Sequence, residues 1–423
     1  MNKHTCILFL LILLALQSPV ARSQVSIGSE EDAVRYALEH SASIRAAKHG
    51  VDVARASLRR AGAWEAPTVA FEFYSTPITS LNPLRDGLEN DYSIQQMIPF
   101  PGKIGRMEDM AAAGVRMKAG EVERARRDVI YETRRVWSML ATAQRQRAIN
   151  REGIQLLEQL LRSVEAAYSV ARAGLADVQR VRVDIDVLRA EDSRIHAEEQ
   201  RSIAMLEALL GNTPLLPASL PVEEDAPFVW ELDSLGEQAL FHRAELGAMN
   251  AERDMQLARR QLAQREWLPD VMLRGMYKEM HNDMPDHWAL MIGVSVPIAP
   301  WASAGYAGAV EEAEADRKRV EESIEEMRRM MRWQVRDAWH EASSLRQRLE
   351  RFRTAVIPSS EQALQASMAV YATAGGSATT VLDAARMLVM LRMDAEMLAG
   401  EYRVALAKLE RAVGRDLITS TSR

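Results

Sequence analysis

Apolar positions along this chain keep a helical period over long stretches, and twice they give way to strict alternation. From Glu30 to Ala63 the spacing predicts a helix, opened by Ser29 as a cap and by an acidic first turn of Glu30, Glu31 and Asp32. Gly62 and Pro67 end it around Trp64. In Thr68–Tyr74 the residues Val69, Phe71 and Phe73 share one face. After a polar loop from Thr76 to Asn90, Tyr92, Ile94 and Ile98 alternate up to Pro99, so 68–100 reads as a β-hairpin. A second helix, from about Leu235 to Glu266, leads to a second hairpin over 271–298. Its first strand carries Val271, Leu273, Gly275 and Tyr277, and its second Trp288, Leu290, Ile292, Val294 and Val296.

Each hairpin ends in a Pro/Gly turn (Pro99 to Gly102, Pro297 to Pro300) and is followed by a very long helical pattern. Val115, Val122, Val129, Val136 and Ala143 are spaced by sevens. Val335, Ala338, Ala342, Leu345, Leu349, Phe352 and Val356 follow by threes and fours, the seam of a coiled coil. Ile104 to Val170 as one helix would reach roughly 100 Å at about 1.5 Å per residue. Pro358, lacking a donor, is expected to kink the second long helix.

The two series of elements are one series written twice. Tyr168-Ser-Val-Ala-Arg-Ala-Gly-Leu-Ala-Asp-Val178 has its counterpart in Tyr371-Ala-Thr-Ala-Gly-Gly-Ser-Ala-Thr-Thr-Val381, an offset of 203 that also relates Trp64 to Trp267 and Gly211 to Gly414. That offset is far longer than the ~20–50 residues of a solenoid or propeller repeat. The expected organisation is therefore a leader at 1–23, one pseudo-repeat over 24–220 with a helical turn at 171–176, and another over 221–423 with its turn at 374–378. The Pro-rich segment Asn212 to Glu231 links the halves.

Composition narrows the class. Aromatics are 6% and hydrophobics 48%, a mix that suits long helices. Lys3, the apolar Ile7–Leu16 and Ala21-Arg22-Ser23 read as a signal peptide for export, too short for a membrane anchor. The single cysteine, Cys6, lies inside that leader, so the mature chain has no disulfide or thiol chemistry. Losing Lys3 and Arg22 takes the net charge from -6 to about -8, which excludes an electrostatic case for nucleic acid. No enzyme is indicated: His340-Glu341 has Ser344 where a zinc-protease helix needs a second His, and Gly102-Lys103 lacks a phosphate loop's glycine run. No cofactor is implied.

One alternating hairpin fits a half-buried soluble sheet; two at equivalent places in an exported chain fit strands of a transmembrane barrel. Four strands cannot close, and an open edge cannot face lipid, so such a chain has to assemble with its own copies. The layout resembles the TolC-type outer membrane factors over essentially the whole mature chain. The resemblance is carried by the turn stretches, where the family reads Tyr/Phe-x-x-Gly and then Asp-Val. Here Tyr168, Ala171, Asp177 and Val178, then Tyr371, Ala374, Thr380 and Val381, hold those places. The glycine is displaced to Gly174 and Gly375, and Thr380 replaces the second aspartate. Gln96-Met-Ile-Pro-Phe-Pro-Gly-Lys103 and Ile357-Pro358 look like the heavy-metal-efflux branch.

The resemblance implies an α+β, mostly helical fold: a homotrimer with a twelve-stranded outer-membrane β-barrel, continued by a long periplasmic α-helical barrel. It implies an exit channel of a tripartite efflux system with an iris-like gate, working with a periplasmic adaptor and an inner-membrane pump of the resistance-nodulation-division type. A periplasmic coiled-coil adaptor or scaffold without a pore is the alternative. Val170, Ala171, Arg172, Ala173, Gly174 and Leu175, with Thr373, Ala374, Gly375, Gly376 and Ser377, would dock the adaptor; a plain helix–helix turn is the other reading. Asp383 matches an inward gate aspartate, with Asp177 and Thr380 at related positions, or these are ordinary solvated side chains. Met280, His281, Met284 and His287 suit a soft metal in type, but they have no fixed ligand spacing and equally fit a polar hairpin loop.

Overall fold

Ser29 Oγ accepts the Asp32 N–H at 3.2 Å and so starts helix α1, Glu30–His40, as its cap residue suggests. In the computed structural model, which describes residues 27–213, 220, 226–281, 284–295, 300–373 and 376–417, α1 is followed by α2 (Ala42–Ala61), β1 (Thr68–Tyr74), a short α3 (Pro83–Asp86) and β2 (Glu89–Ile98). Then come α4 (Lys103–Ser169) and α5 (Leu175–Leu209). The second series is α6 (Leu232–His242), α7 (Ala244–Arg265), β3 (Val271–Met280), β4 (His287–Val294), α8 (Pro300–Arg351), α9 (Ile357–Ala372) and α10 (Ala378–Val413). The leader at 1–23 with Cys6, most of the linker, and Val296, Pro297, Ala374 and Gly375 lie outside the described residues.

Two expectations change. The single helix 30–63 is two, because Ser41 takes up extended backbone and its Oγ accepts the Ile44 N–H at 3.4 Å, making it the cap of α2. The helix expected over 235–266 breaks likewise at Arg243, again extended, whose guanidinium reaches Gln334 Oε1 at 2.6 Å. Pro358, where a kink is expected, follows an irregular stretch of the second long helix. A π turn, Phe352–Val356, precedes it, and the Ile357 N–H bonds five residues back to Phe352 O. The wider turn absorbs the missing proline donor within a continuous helical run.

The chain forms two compact units. One comprises the residues up to Ile44, Ala125–Arg243 and Met331 onward; the other comprises Arg45–Arg124 and Ala244–Met330. The second holds the sheet, whose strand order is β1-β2-β3-β4 and whose neighbours are all antiparallel. The two hairpins are thus joined along β2 and β3, in a register that sets Tyr92 opposite Tyr277. Its helices pack closely: a Cβ on Gly120 would stand 2.8 Å from Ala248 Cβ.

In the first unit the heptad positions are the core. Val129, Val136 and Trp137 pack with Ala33, Ala37 and Leu206, while Val335 and Ala338 pack with Leu235, Leu409 and Val413. Each returning helix closes on a left-handed glycine set against the corresponding helix break. Gly211 (φ 76°) lies near His40 O, and Gly414 (φ 85°) lies against Arg243 N. Arg134 joins Glu410 and Glu30 beneath this closure, and Glu410 also accepts the Leu417 N–H at 2.7 Å. Glu410 is almost wholly buried, and the Arg134 guanidinium is its counter-charge.

Candidate functional site

Two places carry chemistry beyond packing: the sheet and the helical turns. Alternation along four registered strands sorts the sheet's side chains onto two faces. One face carries Val69, Phe71, Tyr92, Ile94, Leu273, Tyr277, Trp288, Leu290, Ile292 and Val294. These large apolar groups face outward, Trp288 at 81% and Leu290 and Ile292 at 63% exposure. The register lines up Phe71, Tyr92, Tyr277 and Trp288 as one aromatic row across all four strands, with Phe71 edge-on to Tyr92 at 5.6 Å. The row beyond them is polar: the Asn90 amide donates to Glu279 Oε2 at 3.2 Å. At the other strand ends stand Trp64, Trp267 and Trp301.

The opposite face is charged and internally paired. Arg274 donates to Glu72 at 2.8 Å and to Ser93 at 3.0 Å, and Lys278 lies 3.0 Å from Asp91 and in contact with Glu89. Asp91 is only 4% exposed, so its charge is held by that lysine rather than by water. Sequence reading missed this network. Its signal was there, in Glu72, Glu89, Asp91, Arg274 and Lys278 on alternate positions of β1, β2 and β3, but the pairing of β2 with β3 that brings them together is tertiary.

Below the seam between the hairpins, Lys103 Nζ binds Asp270 at 2.9 and 3.0 Å and the Leu268 carbonyl at 2.9 Å. Burial disfavours the Asp270 carboxylate, but the Lys103 ammonium and the Phe100 N–H outweigh it and hold its pKa below the ordinary value. In the loop of the second hairpin, Asp286 accepts from the Tyr277 hydroxyl and the Met280 N–H, which lowers its pKa. Of the four soft-metal candidates, Met280 ends β3 and His281 and Met284 stand in that loop. His281 Nδ1 is buried without a hydrogen-bond partner among the described residues, Met284 is 47% exposed, and His287 belongs to β4. Among the described residues no group of three His, Cys, Asp or Glu is placed to hold a metal.

The first helical turn is tighter than 171–176, since Leu175 already belongs to α5. Ala171 takes φ 58°, and the N–H groups of Ala171 and Arg172 return to Tyr168 O and Ala167 O. Val170 and Leu175 point to solvent at 63% and 55% exposure, with Ala171, Arg172 and Gly174 exposed and Ala173 half-buried. Asp177 Oδ2 accepts the Gly174 N–H at 3.0 Å, so this carboxylate caps its own helix. In the second turn Thr373, Gly376 and Ser377 are exposed, Ser377 Oγ accepts the Thr379 N–H at 3.2 Å, and Ala378 is the first residue of α10. Thr380 and Asp383 are exposed on that helix. Both turns rest on one apolar cluster containing Val178, Ile185, Val381 and Leu388.

Residues 235–415 match the outer membrane efflux protein family. No curated protein matches the chain. Among solved structures, the outer-membrane channel OprN superposes with a TM-score of 0.77 at 17% identity, covering 95% of each chain. CusC, whose structures follow its folding and transmembrane channel formation, gives 0.78 at 17% identity over 92% of each. The CmeC outer membrane channel of Campylobacter jejuni gives 0.74 at 14% identity, covering 95% of this chain and 92% of its own. The fold is therefore that of these channels: mostly helical, with a small four-stranded sheet. The family match thus lies in the second half, while the likeness of fold extends over the whole chain. These neighbours are channels rather than enzymes.

Proposed function

We propose that this chain is the outer membrane exit duct of a tripartite efflux system. The observation that carries the reading is the two-faced sheet: an outward apolar face, crossed by an aromatic row, backed by a paired polar face. Lipid demands the first face and a water-filled lumen tolerates the second. β2 and β3, at ten residues each, have the length of a tilted membrane strand. Among the described residues β1 pairs only with β2 and β4 only with β3, so both outer edges need strands from elsewhere. Three copies of a four-stranded sheet make a twelve-stranded barrel, and the homotrimer is the assembly we propose.

The turns at 170–175 and 373–377, exposed at Val170, Leu175, Thr373, Gly376 and Ser377 among the described residues, are the surface offered to a periplasmic adaptor and, through it, to an inner-membrane pump. Asp383, exposed near the second turn, would place one carboxylate per copy around a gate, with Thr380 beside it; Asp177 is committed to its cap. Substrate would pass without chemistry on the chain. The segments Gln96–Lys103 and Ile357-Pro358 support the finer placement in heavy-metal export.

Fractionation and unheated gel migration in mild detergent test the duct. An outer-membrane, detergent-dependent species at trimer mass is expected; a detergent-free periplasmic monomer would replace it with the scaffold reading. On that trimer Leu290→Arg should cost about 2–4 kcal/mol in a bilayer, as lipid-facing arginines do at mid-depth. In a soluble scaffold the same half-solvated position would tolerate it.

A further inference from the structure

The two hairpins are closed by connections of unlike length and character. β3 and β4 are joined by six residues, 281–286, whereas β1 and β2 are joined by fourteen, 75–88. The longer connection carries Ile78 and Leu81 fully exposed, with Leu84 at 55% and Leu88 at 45% exposure. A single apolar residue on a surface is ordinary, but four in one loop, none of them packed into a core, call for a partner.

The loop's shape is fixed by its own hydrogen bonds. The Ser80 N–H reaches Pro77 O at 2.9 Å, the Ser80 hydroxyl reaches Asp86 Oδ2 at 2.5 Å, and Ser80 Oγ accepts the Asn82 N–H at 3.0 Å. The Gly87 N–H closes α3 on Pro83 O at 3.2 Å, so near that a Cβ on Gly87 would stand 2.9 Å from the same oxygen. The loop also has a direction. Asn90 shares the outward face of the sheet with Tyr92 and Ile94 by strand alternation. Its amide donates to Leu84 O at 3.0 Å, and Asn90 is only 1% exposed. The loop therefore leans over the apolar, outward face and not over the charged one. Asn90 stands two residues beyond Tyr92 of the aromatic row, about 7 Å along the strand. An aromatic girdle lies at the membrane–water interface, which puts Leu84 at headgroup depth. Arg85, beside it, is exposed and has no ion pair among the described residues.

We propose that loop 75–88 is a lipid-anchoring element. Ile78, Leu81 and Leu84 enter the boundary between headgroups and acyl chains of the leaflet beside the aromatic row, and the Arg85 guanidinium pairs with lipid phosphate. Apolar side chains with a basic neighbour bind at that depth because their burial and the attraction to phosphate add. The inference rests on the membrane-barrel reading of the sheet and goes beyond it by giving one hairpin loop a lipid partner of its own.

The test uses the full chain, reconstituted from detergent into vesicles of phosphatidylethanolamine and phosphatidylglycerol. Cys6 is replaced by serine, and one new cysteine at a time, in Ile78→Cys, Leu81→Cys, Met284→Cys or Leu290→Cys, carries an environment-sensitive fluorophore. Ile78 and Leu81 are fully exposed, so labelling them leaves the fold intact. Lipid bearing a nitroxide near the top of its acyl chain should quench the probes at 78 and 81 at least about twofold more than the probe at 284, and aqueous iodide should quench them less. Arg85→Gln should reduce the nitroxide quenching at both positions; unchanged quenching would remove the phosphate contact. Iodide quenching above nitroxide quenching at 78 and 81 would overturn the anchor, the loop then being solvated. Quenching by neither would overturn it as well, the loop then being covered by protein. The probe at 290 separates this inference from the reading beneath it. Nitroxide quenching at 290 without quenching at 78 and 81 leaves the barrel and removes the anchor. Quenching at 78 and 81 with none at 290 keeps the loop's lipid contact and removes the barrel.

Discussion

The two helical turns of this protein are built on one floor and capped by different means. Val178 and Val381, 203 residues apart, are both buried in the same cluster, as are Ile185 and Leu388. Above that floor the equivalence ends. The first turn closes with Asp177 reaching back to the Gly174 N–H; at the position of that aspartate the second has Thr380, and Ser377 caps instead. Tyr168 is exposed, while its counterpart Tyr371 is half-buried, with its hydroxyl buried and without a partner among the described residues. A core position accepts only what fills its volume, whereas any acceptor at hydrogen-bond reach satisfies an exposed N–H. Duplicated packing therefore persists where duplicated polar chemistry has drifted.

The largest effects should be shared by the two turns. Ile185→Ala and Leu388→Ala each remove a buried side chain from the common cluster and should each cost about 2–5 kcal/mol in denaturant titrations of the purified protein. A large difference between them would mean that the floor is not common.

The clasp between the hairpins comes next, and it breaks the comparison by design. Lys103 and Asp270 sit at the β2–β3 seam, whereas the positions related to them by the offset are Tyr306 and Pro67, which cannot form such a pair. Asp270→Asn should cost about 3 kcal/mol, because Lys103, with its side chain 9% exposed, loses its counter-charge. Asp270 has a lowered folded pKa, so its stabilisation is fully present above the ordinary carboxylate range and is lost as pH falls through the folded value. The wild type should therefore hold this term from neutrality down to the ordinary carboxylate range and shed it below, while Asp270→Asn shows no such acid step.

Smaller differences separate the caps. Asp177→Ala should cost about 1 kcal/mol and Ser377→Ala a similar amount, while Thr380→Ala should cost under about 0.5 kcal/mol because its side chain caps nothing. Equal losses for Asp177→Ala and Thr380→Ala would show that the caps are not distinct. The smallest effect carries an unusual sign. Burial raises the Tyr371 hydroxyl's pKa, the Asp177 carboxylate adds to it, and no described group satisfies the proton. Tyr371→Phe should therefore be neutral or stabilise by up to about 1 kcal/mol, with Tyr168→Phe silent. A clear loss in Tyr371→Phe would reveal a partner for the hydroxyl.

Much of this was legible in the chain because periodicity is local. The alternation of Val69, Phe71 and Phe73 and of Trp288, Leu290 and Ile292 announces strands with one apolar face. The sevenfold spacing of Val122, Val129 and Val136 announces a seam that is buried, with Val136 fully so. The turn stretches were legible because glycine, aspartate and serine punctuate helices by hydrogen bonds made within a few residues.

What the tertiary structure alone decided is everything that joins residues far apart in sequence. No local signal breaks the second helix at Arg243, where the guanidinium reaches Gln334 and the backbone lies against Gly414. The pairing of β2 with β3, and with it the aromatic row and the Glu72–Arg274 and Asp91–Lys278 pairs, depends on which hairpin edges meet. Composition could not reveal that Asp177 is a cap rather than a free carboxylate, or that the loop of the first hairpin leans over the outward face of the sheet. Sequence fixes period and local hydrogen bonds, because those act over a few residues. Partnership across hundreds of residues is settled only when chain segments pack and their charges must find one another or be left unpaired.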